Sequence, residues 1–211
     1  MDPKPILLAG RLVRLEPLTP GHAPALFKAL SADPSVWRWL TMPPPETVAE
    51  MEALIADDLA LLARGELVPF AQVEQATGRP AGHTTYMNIS RRDRGLEIGG
   101  TWLGRPWHRT GINTEAKYLL LRHAFEGLGA VRVQLKTDAR NVQSQTAIAR
   151  LGAVREGLLR KHMLTQHGVI RDTVMFSVTD AEWPTVKARL EGLLAAHQGI
   201  SPEGAAVNSQ G

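Results

Sequence analysis

The segment LGRPWHRTGINTEAKYLLLRHAF, from Leu103 to Phe125, joins a donor-rich turn to the start of a long amphipathic helix. Thr110-Gly111-Ile112-Asn113 runs straight into that helix, so several backbone N–H groups and the positive end of the helix dipole face one small volume. Such a volume suits a phosphate group. Gly111 lets a ligand approach the backbone closely, and Arg109 adds a positive charge. Alone, the turn reads equally as a glycine taking an unusual backbone angle and Asn113 capping a helix.

A second polar constellation lies in KTDARNVQSQTAIARLGAVREG, from Lys136 to Gly157. Asn141 and Ser144 stand at i and i+3 of the helix expected there, hence on one face. Both are also ordinary first-turn residues, with Asn141 as N-cap. Glu97 opens an expected strand and is either a base or a solvated strand residue; Asp172, at the start of another, is either an amine-binding carboxylate or half of an ion pair. Trp37 and Trp39, ahead of a proline run at Pro43–Pro45, are candidates for a pocket wall or for the core. The histidines show no metal-ligand spacing, so no metal site is expected.

Elements that would position these residues follow from periodicity. Arg11–Leu18 alternates as a strand, and Thr19-Pro20 starts a helix to about Leu30. Val48, Met51, Leu54, Ile55 and Leu62 recur at helical spacing, with Gly65 as C-terminal cap. Residues 68–74, 82–89 and 96–103 read as three antiparallel strands separated by turn residues. Asn113–Leu128 is a helix with an apolar face, and Val131–Thr137 a strand, so 96–103 and 131–137 become parallel neighbours across a right-handed crossover. A short helix spans Val142–Leu151 and closes at Gly152. Strands at 153–164 and 169–178 form a hairpin across Gln166-His167-Gly168, and Asp180 caps a last helix to about His197. The reading is α+β: a seven-stranded, mostly antiparallel sheet with two parallel central strands, flanked by helices. Residues 1–197 form one domain and 198–211 an aperiodic tail.

Composition narrows the classes. Cysteine is absent, which excludes disulfides and a cysteinyl acyl-enzyme. The net charge of +3 is spread along 211 residues rather than gathered in a stripe, so nucleic acid is not the expected partner. No stretch is long and apolar enough for a membrane span, and the N-terminus lacks a signal-peptide pattern, so a cytoplasmic protein is expected.

Together the two polar segments and the element order resemble the GNAT acetyltransferases, especially the branch with the RimJ- and RimL-type ribosomal-protein acetyltransferases. The resemblance spans about Arg11–Val178 and is strongest over 96–178. That family's pyrophosphate loop has the pattern Arg or Gln, two residues, Gly, one residue, Gly or Ala. It falls on His108, Arg109, Thr110, Gly111, Ile112 and Asn113, where Gly111 matches and His108 and Asn113 depart. Leu151-Gly152-Ala153 matches the family's end of the short helix.

The resemblance implies an N-acetyltransferase that passes acetyl from acetyl-CoA directly to a primary amine in a ternary complex. The acceptor is a protein N-terminus or a small-molecule amine, and the enzyme is a possible homodimer. It implies a splay of the parallel strands beyond a point near Trp102-Leu103, where the pantetheine arm lies and where freed backbone N–H groups stabilise developing negative charge. It assigns cofactor binding to Trp102, Leu103, His108, Arg109, Thr110, Gly111, Ile112, Asn113, Thr114, Asn141 and Ser144. The tyrosine acid common in the family, seven residues after the asparagine, is replaced here by Ile148. In the RimL-like branch a serine three residues after it is proposed instead, which makes Ser144 the acid. Glu97 is the first candidate base, because an alkylamine of pKa about 10.4 must lose a proton before it attacks. The missing tyrosine and altered loop leave a noncatalytic acyl-CoA-binding module as the alternative.

Overall fold

The computed structural model describes residues 1–165 and 168–197. Gln166 and His167 of the expected hairpin turn, and the tail 198–211, lie outside the described residues. Eight strands form one sheet: β1 Leu8–Ala9, β2 Val13–Pro17, β3 Val68–Glu74, β4 Pro80–Ser90, β5 Gly95–Leu103, β6 Arg132–Asp138, β7 Val154–Leu164 and β8 Ile170–Thr179. Their order is β1-β2-β3-β4-β5-β6-β8-β7, antiparallel except for β5 against β6. The helices are α1 Ala23–Ser31, α2 Val48–Ala63, α3 Ile112–Arg122, α4 Val142–Leu151 and α5 Trp183–Ala196.

The α+β reading with a parallel central pair holds, with corrections. Among the described residues there are eight strands rather than seven, because Leu8–Ala9 pairs with Leu15 and Arg14. Residues 10–12 turn the chain between β1 and β2 instead of continuing the strand expected from Arg11. Their turn is stabilised by the buried Glu115 carboxylate, which accepts from the backbone N–H groups of Arg11, Leu12 and Val13. The last helix starts at Trp183 rather than just after Asp180, since the Glu182 side chain accepts from both the backbone and the hydroxyl of Thr179. The helix expected to reach Leu128 is α-helical only to Arg122 and continues as a wider π turn over His123–Gly127. There the Leu120 carbonyl, near the end of α3, accepts from the buried Tyr86 hydroxyl at 2.6 Å.

Strand alternation sorts the sheet's two faces. Thr84, Tyr86 and Thr101 meet α3, through Lys117 and the Leu120 carbonyl. His83 reaches Asp58 of α2, and Trp102 packs on Trp37 with ring centroids 5.4 Å apart, so these side chains face α1 and α2. Apolar burial drives both layers: Leu15, Leu26, Leu30, Met51, Ile55, Phe70, Leu119, Leu120 and Leu190 are almost wholly buried.

The parallel pairing of β5 with β6 is short. Gly95, Leu96 and Glu97 pair with Arg132, Val133 and Gln134, and there it ends. The strands therefore part directly after Glu97, five residues before the expected point near Trp102-Leu103. Gly99-Gly100 explains the early departure. Gly100 takes φ +57, open to a glycine at little cost, and the register against β4 shifts between His83 and Thr85.

Candidate active site

Beyond the gap the chain turns through His108–Gly111 into α3. Arg109 and Gly111 both take left-handed backbone angles, φ 64 and 85. A Cβ on Gly111 would also sit 2.9 Å from Leu12 Cδ1, so both conformation and space require glycine. Gly111 is the N-cap, and among the described residues no side chain caps the helix. The first-turn N–H groups of Ile112, Asn113 and Thr114 consequently have no partner within the helix, and they gather where its dipole is positive. The turn's polar side chains brace it: His108 Nε2 donates to the Leu103 carbonyl at 3.0 Å, and the Thr110 hydroxyl to the Trp107 carbonyl at 2.8 Å. The helix begins one residue earlier than expected, so Asn113 lies inside it and is not its cap.

Where the strands part, Glu97 is 1% exposed and not a solvated strand residue. Its Oε2 accepts from Asn88 Nδ2 at 2.8 Å and Gln134 Nε2 at 3.1 Å, and Lys136 Nζ lies 3.1 Å from Oε1. All these side chains belong to the face that carries α1 and α2. The row continues along β6 and β8 with Asp138, Thr173 and Arg171, all buried. Asp138 is paired with Arg140, whose hydrogen bonds hold its carboxyl below the usual range. Arg140 in turn stacks over the Trp39 ring, 5.7 Å from its centroid, so the α1–α2 connection reaches the end of β6. Trp39 thus borders this polar row, while Trp37 is core, 2% exposed.

Asn141 is the N-cap of α4, its Oδ1 accepting from the Ser144 backbone N–H at 3.0 Å. The Ser144 side chain is partly buried and its hydroxyl has no partner among the described residues. Asp172 does not belong to this group: its carboxylate accepts from the backbone N–H of Lys161 across the β7–β8 hairpin, where Lys161 takes φ 50. Trp102 and Leu103 are 4% and 7% exposed, so backbone rather than side chain is what they could offer a ligand.

Sequence alone does not single out Asn88, Gln134 and Lys136, whose side chains bond Glu97, or Arg171 farther along the same row. One signal was available. In RVQLKTD the alternation buries Val133 and Leu135 on one face and puts Gln134, Lys136 and Asp138 on the other. Two more polar groups lie deeper. Lys117 is enclosed beneath β4 and β5, donating to the hydroxyls of Thr84 at 3.2 Å and Thr101 at 2.5 Å, and burial pushes its amine down to about 7. His83 donates from Nδ1 to the Gly100 carbonyl at 3.0 Å, and its Nε2 lies 3.0 Å from Asp58 Oδ2, out of line for a hydrogen bond.

Against known proteins, residues 12–154 match the family model described as an acetyltransferase (GNAT) domain. The chain is 26% identical over 174 residues to the uncharacterized N-acetyltransferase YoaA of Bacillus subtilis (strain 168), covering 82% of this chain and 96% of that protein. Its fold superposes on the crystal structure of a GCN5-related N-acetyltransferase from Brucella melitensis with TM-score 0.86 and 32% identity, covering 100% of this chain and 92% of the other. It is similar too to RimJ of Mycobacterium smegmatis in complex with CoA-disulfide, with TM-score 0.77 and 25% identity over 89% of this chain and 91% of that one.

Proposed function

The chain belongs to the GNAT acetyltransferase family, and on that premise we propose that it passes the acetyl group of acetyl-CoA directly to a primary amine, in a ternary complex at the gap between β5 and β6. The observation that carries this reading is the parting of the strands after Glu97 and Gln134, beside an uncapped helix N-terminus. An extended thioester arm fits a gap between strand edges, and a diphosphate fits first-turn N–H groups.

Roles follow from position. The backbone N–H groups of Ile112, Asn113 and Thr114, with the Arg109 guanidinium, would hold the pyrophosphate, with His108, Thr110 and Gly111 shaping the turn. The β5 edge through Trp102 and Leu103 would pair with the pantetheine arm, and Asn141 would position it. Acetyl-CoA supplies an activated acyl carbon. The amine nitrogen bonds to that carbon as the carbon–sulfur bond breaks, the neutral amine's proton goes to Glu97, the Ser144 hydroxyl protonates the leaving thiolate, and solvent carries the proton from Glu97 back to the serine oxygen. Burial and its hydrogen-bond donors fix Glu97 at the start of the gap, which supports it as base. The free hydroxyl of Ser144, at the helix turn that Asn141 caps, supports it as acid.

The test is thiol release from acetyl-CoA, followed with a thiol-reactive dye, against N-terminal peptides, polyamines and amino-sugars. Release that depends on one amine class supports the reading and names the acceptor. Absence of release with every amine, despite measured CoA binding, would overturn it.

A further inference from the structure

Buried charges on the face of the sheet that carries α1 and α2 do not all cancel. Glu97 is paired with Lys136, and Asp138 with Arg140. Arg171, one strand over on β8, is 6% exposed and has no carboxylate partner of its own among the described residues. Its Nε donates to the Thr173 hydroxyl at 3.0 Å. The terminal nitrogens of its guanidinium make no hydrogen bond with the described residues, yet they are not sealed among the buried unpartnered atoms.

The charged groups acting on this guanidinium are the Asp138 and Glu97 carboxylates, which favour its charge, and Arg140, which opposes it. Arg171 therefore stands in the same polar row as the candidate base. A guanidinium largely withdrawn from water, with two donor-bearing nitrogens unspent, is costly unless something anionic meets it. Planar donors of that kind match a carboxylate in a two-pronged contact that a single ammonium does not reproduce.

We propose that Arg171 is a specificity residue of the acceptor site: it binds a carboxylate carried by the acceptor close to its reacting amine. The inference rests on the acetyl-transfer reading and deepens it. The acceptor nitrogen is presented to Glu97 while its anionic group is held by Arg171, which orients the nitrogen for attack. An all-cationic polyamine lacks the second contact and leaves Arg171 unmatched. The carboxylate has two possible sources, the α-carboxylate of a free amino acid or an acidic side chain near a peptide N-terminus.

Thiol release decides between them. Alanine is compared with alaninamide, and amidated Ala-Asp with amidated Ala-Asn, for the wild-type chain, Arg171→Gln and Arg171→Lys. A charge-assisted pair of this kind is expected to give about a 10- to 100-fold higher kcat/KM for the acid than for its amide in one of the two arms. Arg171→Gln should collapse that ratio to near unity by raising KM for the acid, and Arg171→Lys should retain part of it. Equal rates for acid and amide in both arms, or a preference that survives in Arg171→Gln, would overturn the proposal. Melting curves establish that the variants are folded; should Arg171→Gln not fold, the Arg171→Lys ratio decides. If no amine supports release, the transferase reading fails separately, and calorimetry with N-acetylalanine against N-acetylalaninamide, and with amidated N-acetyl-Ala-Asp against amidated N-acetyl-Ala-Asn, decides the role of Arg171: equal binding in both pairs overturns it, and preference for an acid that weakens in the variants supports it.

Discussion

Glu97 and Gln134 are the last residues at which β5 and β6 remain paired, and the Gln134 side chain donates to the Glu97 carboxylate over 3.1 Å. One residue thus marks both where the gap begins and where the proposed base is anchored. Glu97→Gln keeps the shape and removes the basicity. Its kcat/KM for the best amine should fall about 100-fold or more, while Lys136, deprived of its partner, costs about 1–3 kcal/mol of stability. Steady-state kinetics beside urea denaturation separates the effects; wild-type turnover in a folded variant rejects Glu97 as base.

Ser144→Ala removes a hydroxyl that makes no hydrogen bond with the described residues, so stability should change by less than about 0.5 kcal/mol. As the thiolate's acid, its loss should lower kcat about 10- to 100-fold at saturating acetyl-CoA with little change in KM. Turnover measured at several fixed amine concentrations checks this. An unchanged kcat assigns the thiolate's proton to another source.

Gly111→Ala forces a side chain into a left-handed conformation and against Leu12. The strain should cost about 1–2 kcal/mol, and distortion of the first-turn N–H groups should weaken CoA binding at least several-fold. Calorimetric titration with CoA, read beside the melting temperature, distinguishes the two. Retained affinity in a destabilised variant would remove this turn from the cofactor site.

Lys117 gives a pH signature. Burial pushes it from 10.5 down to about 7. Between those values the unfolded chain holds a proton that the fold does not, so this residue's contribution to stability rises with pH from about 7 to 10.5 and is least favourable below 7. The whole span is worth at most ~5 kcal/mol. Lys117→Met should stabilise the protein at neutral pH and flatten that slope. Denaturation midpoints of wild type and variant across this window, taken as a difference, isolate the effect.

Much of this was legible in the sequence for local reasons. The turn at Thr110–Asn113 and the short helix after Asn141 announce themselves through residue types that backbone geometry demands, glycine where φ is positive and asparagine where an N–H needs a cap. The strand-helix-strand unit around α3 follows from period alone. What escaped was set across distance. Leu8–Ala9 is a strand because β2 lies beside it and Glu115, far along the chain, braces the intervening turn. The gap starts at Glu97 rather than Trp102 because two glycines bend β5, and no periodicity reports where a neighbouring strand stops following. Arg171 lies in a strand where the neighbouring carboxylate, Asp172, is the residue that draws notice. The place of Arg171 in the polar row beside Asp138 exists only once β6 and β8 are side by side.

Three residue pairs join β5 to β6, whereas β6 pairs with β8 along seven positions. Mechanically, the eight-stranded sheet is a five-stranded leaf and a three-stranded leaf sharing a hinge three rungs long. Beyond the hinge the inner edges do not pair with each other, so an extended molecule that paired with them would add rungs. Amide hydrogen exchange along Ile98–Leu103 would then report occupancy of the gap directly, and the substrate would stiffen the protein that consumes it.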